Sequence, residues 1–231
     1  MMQQVLVSIF MILMTIGIYV VMSRIYSRFS WPLLLPVLTT TVVIVALLVS
    51  WHIPYKTYME GGKWINFLLG PSVVALAYPL YKQRFVLKKY VVPILVGVSV
   101  GSMTGMLSGL FFAEFFHFDR TLMLSILPKS ITTPVAIQIT SNIGGISSMT
   151  IVCVMVAGLT GAIAGPAILK WMRVKSVLGK GIALGSASHV FGISKASEYG
   201  ELAVSTGSVA MTLSALIGSI IAPYITTLFH I

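Results

Sequence analysis

The chain has 231 residues, of which 57% are hydrophobic and 9% charged, with a mean hydropathy of +0.99 and a net charge of +10. A soluble domain carries about 25% charged residues, so this composition excludes one and describes an integral membrane protein. Apolar runs of about 20 residues between short charged loops fit helices crossing a hydrocarbon core of about 30 Å, and exclude the alternating strands of a barrel.

The first run, Val5 to Met22, has no cation before it and is followed by Arg24 and Arg28. It is expected to remain as a transmembrane helix and not to act as a secretory signal. Further runs follow at Trp31–Ser50, Trp64–Tyr81, Val91–Phe116, Leu122–Thr140, Met149–Leu169, Ile182–Ser197 and Leu202–Phe229. No linker divides them, so a single membrane domain over residues 1–231 is expected. The fold class is all-α and polytopic, with about six full transmembrane helices plus two broken or re-entrant segments. Trp31, Trp51, Trp64 and Trp171 stand at or beside run ends, where interfacial anchors belong.

The cations lie in short clusters beside apolar runs, the pattern of cytoplasmic loops and not of a nucleic-acid surface. Loops 82–89 and 170–180 hold four lysines and arginines each and the short loop 23–30 holds Arg24 and Arg28, whereas the longer 51–63 holds only Lys56 and Lys63 and 117–120 holds Arg120 alone. The first three are expected inside. Between 82–89 and 170–180 the chain must then cross an even number of times, yet three apolar runs lie there. The run 122–140 is the expected exception, a re-entrant hairpin that enters and leaves on the outer side.

That run holds the most costly residue of the chain. Lys129 sits among Ser130, Thr132 and Thr133 between Pro128 and Pro134. A lysine at bilayer depth costs about 2.5–3.5 kcal/mol. Each proline removes a backbone donor and collides with the preceding turn, so one continuous helix is excluded, and broken backbone at depth needs protein or a wet cavity around it. Two readings are open for Lys129: a cation snorkelling to the interface, or a fixed charge for an anionic substrate with Ser130, Thr132 and Thr133 around it.

A second polar, glycine-rich run holds Gly185, Ser186, Ser188, His189 and Gly192. Each broken segment follows a helix striped with small residues, Gly97, Gly101, Gly105 and Gly109 before the first, then Ala157, Gly161 and Gly165 before the second. Such stripes allow close helix packing. An offset of sixty residues superposes Gly101 on Gly161, Gly105 on Gly165 and Lys129 on His189. The matches are either chance spacing among 20 glycines or an inverted repeat, whose broken helices meet at a midplane site. His189 is either a buried interhelical histidine or a substrate donor or proton carrier. Ser186 and Ser188 either bond back to their own helix carbonyls or serve the site. Glu114, His52, His117 and His230 fall near run ends and are expected at the interface; Gln138 and Asn142 are expected to satisfy backbone near a hairpin end. Cys153, the single cysteine, lies within an apolar run, so neither an internal disulfide nor a thiolate metal site is expected.

In order, Ile53-Pro54-Tyr55-Lys56-Thr57-Tyr58, Gly61-Gly62, Pro71 to Tyr81, Leu127 to Ala136, Gly144-Gly145-Ile146 and Gly185-Ser186-Ala187-Ser188-His189 resemble the LrgB/CidB family of bacterial membrane proteins over nearly the whole chain. The resemblance implies a multi-pass protein of the bacterial cytoplasmic membrane and a homo-oligomer, with a smaller LrgA/CidA-type membrane partner and holin-like or antiholin-like control of murein hydrolase activity. Relatives are implicated in moving pyruvate, glycolate and glycerate. Where Gly-Thr-Ala is common after the histidine, Gly192-Ile193-Ser194 stands here, so the hydroxyl contact that the resemblance implies is either lost or moved to Ser194.

Three function classes follow. The first is a gradient-driven carrier of small carboxylates, the second a holin-like regulator acting through a partner. The third, an intramembrane hydrolase, is disfavoured because adjacent Ser188 and His189 point to different helix faces and the sole aspartate, Asp119, lies in a loop. No nucleotide-binding loop, cofactor motif or nucleic-acid surface is expected.

Overall fold

The computed structural model describes residues 2–29, 34, 36–75 and 77–229; Trp31 and His230 lie outside them. Among the described residues there are helices and no strands: α1 (Met2–Phe29), α2 (Pro36–Ser50), α3 (Tyr55–Phe67), α4 (Leu69–Ala75), α5 (Ala77–Lys82), α6 (Arg84–Lys89), α7 (Val91–Phe115), α8 (Arg120–Ile126), α9 (Thr133–Ile143), α10 (Ser147–Trp171), α11 (Val177–Ala196) and α12 (Glu201–Leu228). Four of them are long and apolar enough to cross a membrane, within Val5–Phe29, Val91–Phe115, Ser147–Trp171 and Glu201–Leu228. The apolar part of α2, Leu38–Ser50, is shorter. The expected run Trp64–Tyr81 is divided among α3, α4 and α5. Pro71 offers a reason, since its ring would collide with the carbonyl of Phe67, where α3 ends.

The chain forms two compact units, residues 1–71 and 72–231. In the first, α1 packs on α2 and α3. Thr15 Oγ1 and Tyr58 Oη lie 3.1 Å apart, Ser8 Oγ donates to the Glu60 carbonyl at 3.1 Å, and Gly61 brings α3 against the Ser8 backbone.

In the second unit α12 runs through the centre. Half of the residues in its most apolar window are buried, against 11% for α10, so α12 is the more enclosed by protein while most α10 residues stay at least partly exposed. One apolar core joins Met106, Leu127, Ile131, Val135, Val154 and Ala215, and another joins Ile94, Val98, Ile182 and Val209. Tyr90, Leu87 and Leu178 pack on the latter, so the cation-rich stretches 82–89 and 170–180 lie at one end of the unit. The ring of Phe229 meets that of Phe111 edge to face, which sets the C-terminal ends of α12 and α7 together at the other.

The helices α2, α7 and α10 end in the same way. His52, His117 and Arg173 hold φ of 52°, 53° and 55°, and the next residue donates back to a carbonyl five positions earlier: Ile53 to Leu48, Phe118 to Ala113, Val174 to Leu169, each at 2.9 Å. This left-handed C-cap satisfies orphan carbonyls, and a basic side chain there suits the negative end of the helix dipole. His52 and His117 are therefore helix terminators.

Candidate functional site

The first break lies where the prolines predict it. α8 begins at Asp119, whose carboxylate accepts from the backbone N–H of Thr121 and Leu122, and ends before Pro128. Residues 127–132 are non-helical, and Pro134 sits in the first turn of α9, where its missing donor is harmless. The chain doubles back across this break. Ser125 Oγ accepts from the N–H of Ile146 at 2.7 Å, the Ser125 carbonyl accepts from Thr150 Oγ1 at 2.9 Å, and Thr140 and Thr150 hydroxyls lie 2.8 Å apart. A straight helix would hold residues 125 and 140 about 22 Å apart.

The second break falls at His189, with φ 46° and ψ −128° inside α11. Gly185, expected as a breaker, is helical; it and Gly181 instead let α11 lie against the α12 backbone, since a Cβ on either would overlap α12 atoms. Here too the chain turns back: a Cβ on Gly192 would overlap the carbonyl oxygen of Leu184, which a straight helix would carry about 12 Å away. Ala196 accordingly shares a core with Leu184 and Ala203, and the Lys180 ammonium sits 4.6 Å from the Tyr199 ring centroid.

The two breaks meet. His189 Nε2 lies 3.3 Å from the carbonyl oxygen of Lys129. A carbonyl can only accept, so Nε2 carries the proton in this bond. On α10 the His189 ring faces Gly158, 11 residues from the helix start and 13 from its end, which sets the meeting point about 17 Å deep along a 25-residue helix.

Lys129 and its neighbours face α7. Its Nζ donates to the Gly105 carbonyl and lies 3.4 Å from Ser108 Oγ. Among the described residues the ion pairs are Lys63–Glu60 and Lys195–Glu198, so the Lys129 ammonium meets no carboxylate. The α7 glycines supply its space: a Cβ on Gly109 would stand 3.0 Å from Lys129 Nζ, one on Gly105 3.0 Å from Ser130 Oγ, and one on Gly101 3.2 Å from Ser186 Oγ. A groove of about 880 Å³ follows this row, lined by Gly101, Thr104, Gly105, Ser108, Ser130 and Ser186 among others.

The expected site residues thus divide. Lys129, Ser130 and Ser186 come together along α7, with Ser186 Oγ also bonded back to the Ile182 carbonyl at 2.8 Å. Ser188 and His189 face α10 instead: both are buried, and a Cβ on Gly161 would overlap Ser188 Oγ, which has no hydrogen-bond partner. Thr132 and Thr133 open α9, and Thr132 makes no side-chain cap bond. Gly161 and Gly165 carry α10 against Ser188 and Leu184, and Gly97 carries α7 against Ile182. Thr104 and Ser108 were not singled out in the sequence; the signal was a hydroxyl three residues after Gly101 and after Gly105 on one helix. Among the described residues no cluster of acidic, histidine or cysteine side chains could hold a metal ion.

The sequence profile of the LrgB-like family matches residues 15–228. The chain is 61% identical to the protein YxaC of Bacillus subtilis (strain 168) over the full length of both. It is 34% identical to the holin-like protein CidB of Staphylococcus epidermidis, over 99% of this chain and all of the relative. With CidB of Staphylococcus aureus (strain Mu50) the identity is 35% over 96% of this chain and 97% of the other. No solved structure matches. The chain, whose described residues form helices and no strands, four of those helices fit to span a bilayer, belongs to the LrgB-like family.

Proposed function

We propose that the protein is a gradient-driven carrier of small carboxylates such as pyruvate or glycolate in the bacterial cytoplasmic membrane. The observation that carries this reading is Lys129, a cation against the glycine face of the membrane-spanning helix α7 that meets a helix carbonyl and a hydroxyl and no carboxylate. A cation held there without a counter-ion suits an anion that comes and goes. In this reading both broken segments are re-entrant and enter from opposite faces: α7 with α8–α9 forms one half of an inverted repeat, α10 with α11 the other, and alternating access proceeds around their meeting point. Ser130 and Ser186 complete the substrate shell, while Thr132, Thr133, Ser188 and His189 support the two tips. The cation-rich end faces the cytoplasm.

A second reading is favoured by the holin-like name of the CidB relatives. It makes the protein a regulator of murein hydrolase activity and lysis, working with an LrgA/CidA-type partner, and gives the glycine-striped helices to assembly. A hydrolase finds no support, because Ser188 Oγ has no partner and His189 Nε2 is engaged by the Lys129 carbonyl. The deciding experiment is flux of labelled short carboxylates into liposomes holding the purified protein, alone and with the small partner.

A further inference from the structure

A second hollow lies behind the Lys129 segment, within the second unit. It encloses about 410 Å³ between α9, α12 and residues 74–80, and its lining includes Val135, Gln138, Ile139 and Asn142 from α9 with Thr212 and Ser219 from α12. It reaches Ile143 at the end of α9 and Pro223 near the end of α12, towards the end of the unit where Phe111 meets Phe229. The groove on α7 reaches Pro93 and Leu178 at the cation-rich end instead. A thin apolar layer parts the two. Ser130 faces the groove, while the next residue, Ile131, turns to α12: a Cβ on Gly218 would overlap its Cδ1 and stand 2.9 Å from Met106 Cε. Ile131 and Met106 are each 1% exposed and share a core with Val135, Ile139 and Ala215, which wall the second hollow.

The donors in this hollow are of one kind. Ser219 Oγ donates to the Leu216 carbonyl at 2.8 Å and Thr212 Oγ1 to that of Ser208 at 3.0 Å, so both hydroxyls are left only to accept. The side chains of Gln138 and Asn142, expected to satisfy backbone at the hairpin end, make no hydrogen bond among the described residues. They stand one turn apart on the face of α9 that carries Val135 and Ile139, where they offer N–H donors and no charge. Unpartnered amides inside a membrane protein are costly, so their partner is something that enters the hollow.

We infer that this hollow is the outer half of the substrate path, that Gln138 and Asn142 receive the carboxylate in it, and that Ile131 seated on Gly218 is the barrier between it and Lys129. This rests on the carboxylate-carrier reading. Side chains one turn apart on a helix have Cβ atoms about 6 Å apart, so both carboxamides can reach the oxygens of one carboxylate. Neutral donors hold an anion less tightly than an ammonium does, which lets the acid pass on to Lys129 when the 127–132 tip moves.

The test is thiol labelling in oriented vesicles, with Cys153 replaced. Ser219→Cys is expected to react with a small impermeant reagent added outside, and Thr104→Cys, in the groove, only with reagent held inside. Pyruvate at about ten times its half-saturating concentration should slow the reaction of the Ser219→Cys protein about tenfold, by the unoccupied fraction that mass action leaves. Gln138→Leu combined with Asn142→Leu is expected to abolish that protection. Ile131→Ala is expected to open the Thr104→Cys thiol to reagent from outside; should it fail to fold, Ile131→Val removes only the Cδ1 that meets Gly218 and should do the same more slowly. Four results would each overturn the inference: no reaction of Ser219→Cys from outside, no protection by pyruvate, protection that survives the double leucine variant, or a folded Ile131 variant that still shields Thr104→Cys. Where pyruvate counterflow persists, any of them leaves the carrier reading standing. No counterflow with any acid overturns both.

Discussion

The carbonyl oxygen of Lys129 and the imidazole Nε2 of His189, sixty residues apart, lie 3.3 Å from one another, each at the point where its segment turns back. The bond is long for N–H···O and worth about 0.5–1.5 kcal/mol at most. His189 adopts φ 46° and ψ −128°, a region where glycine is the default residue and others are held at a cost of about 1–3 kcal/mol. The histidine is thus strained for one weak bond, which points to a role at the tip beyond stability. His189→Gly relieves the backbone and loses the bond, while His189→Ala loses the bond and keeps the strain. Thermal melts in detergent should place Gly within about 1 kcal/mol of the parent and Ala about 1–2 kcal/mol below Gly; equal melting of the two variants would remove the strain argument. Both should transport poorly.

Lys129→Met removes the ammonium and keeps the length of the stem. The Gly105 carbonyl retains its place in the α7 helix, so the variant should melt at or near the parent's temperature, a half-buried cation without a carboxylate partner having been removed. Carboxylate flux should fall by at least about tenfold, the loss of a single charge-assisted contact. Lys129→Arg should be impaired as well, because the guanidinium fork is broader than an ammonium standing 3.0 Å from where a Cβ on Gly109 would lie. Full flux in the Met variant would return Lys129 to snorkelling.

Much of this site was legible in the sequence, for reasons that particular residues show. Pro128 and Pro134 each conflict with the turn before them and stand six residues apart, and the first break lies there, whereas the single prolines Pro166 and Pro223 are carried inside α10 and α12. His189 carries no such mark: nothing in Gly185 to Gly192 says which residue leaves the helix, and the glycines suggested the wrong ones. That choice is made by packing, since Gly181 and Gly185 are needed against α12 and Gly192 against Leu184. The glycine stripes were visible as close-approach faces, but what they approach is tertiary information. Gly101 and Gly105 face hydroxyls on different segments, and Ser186 and Ser188, two residues apart, face different helices.

Thr150 ties α8, α9 and α10 together and is fully buried. It donates to the Ser125 carbonyl and meets the Thr140 hydroxyl. Thr150→Val keeps the shape and leaves both partners unsatisfied, so it should destabilise by about 1–3 kcal/mol. Because the network sits away from the α7 groove, the order of substrate preference should not change. A shift in that preference would mean that the network sets the position of Lys129.

The charge count makes a topological prediction. With Cys153 replaced, single cysteines at Asp119 and Ser147 should react with an impermeant thiol reagent from outside, and one at Lys175 should react only after the membrane is opened. Reaction of the first two from opposite faces would show that residues 119–147 cross the membrane, and would end the re-entrant reading of the Lys129 segment.

Carrier and pore differ in how flux depends on concentration. If the two tips form one occluded site, each substrate must leave before the next is taken, so flux saturates and unlabelled acid on one side accelerates labelled acid from the other. A lesion or channel has no such step; its flux rises linearly and unrelated solutes pass with the acid. Purified protein in liposomes should therefore show saturable pyruvate uptake and counterflow, with neutral sugars excluded. Parallel vesicles should contain the LrgA/CidA-type partner, because a site complete in one chain predicts the same saturation without it, whereas a jointly built site predicts activity only in its presence. Linear leakage of sugars alongside pyruvate in both preparations would sink the carrier and leave the holin-like reading, in which Lys129 and His189 hold two turns of chain together and move nothing.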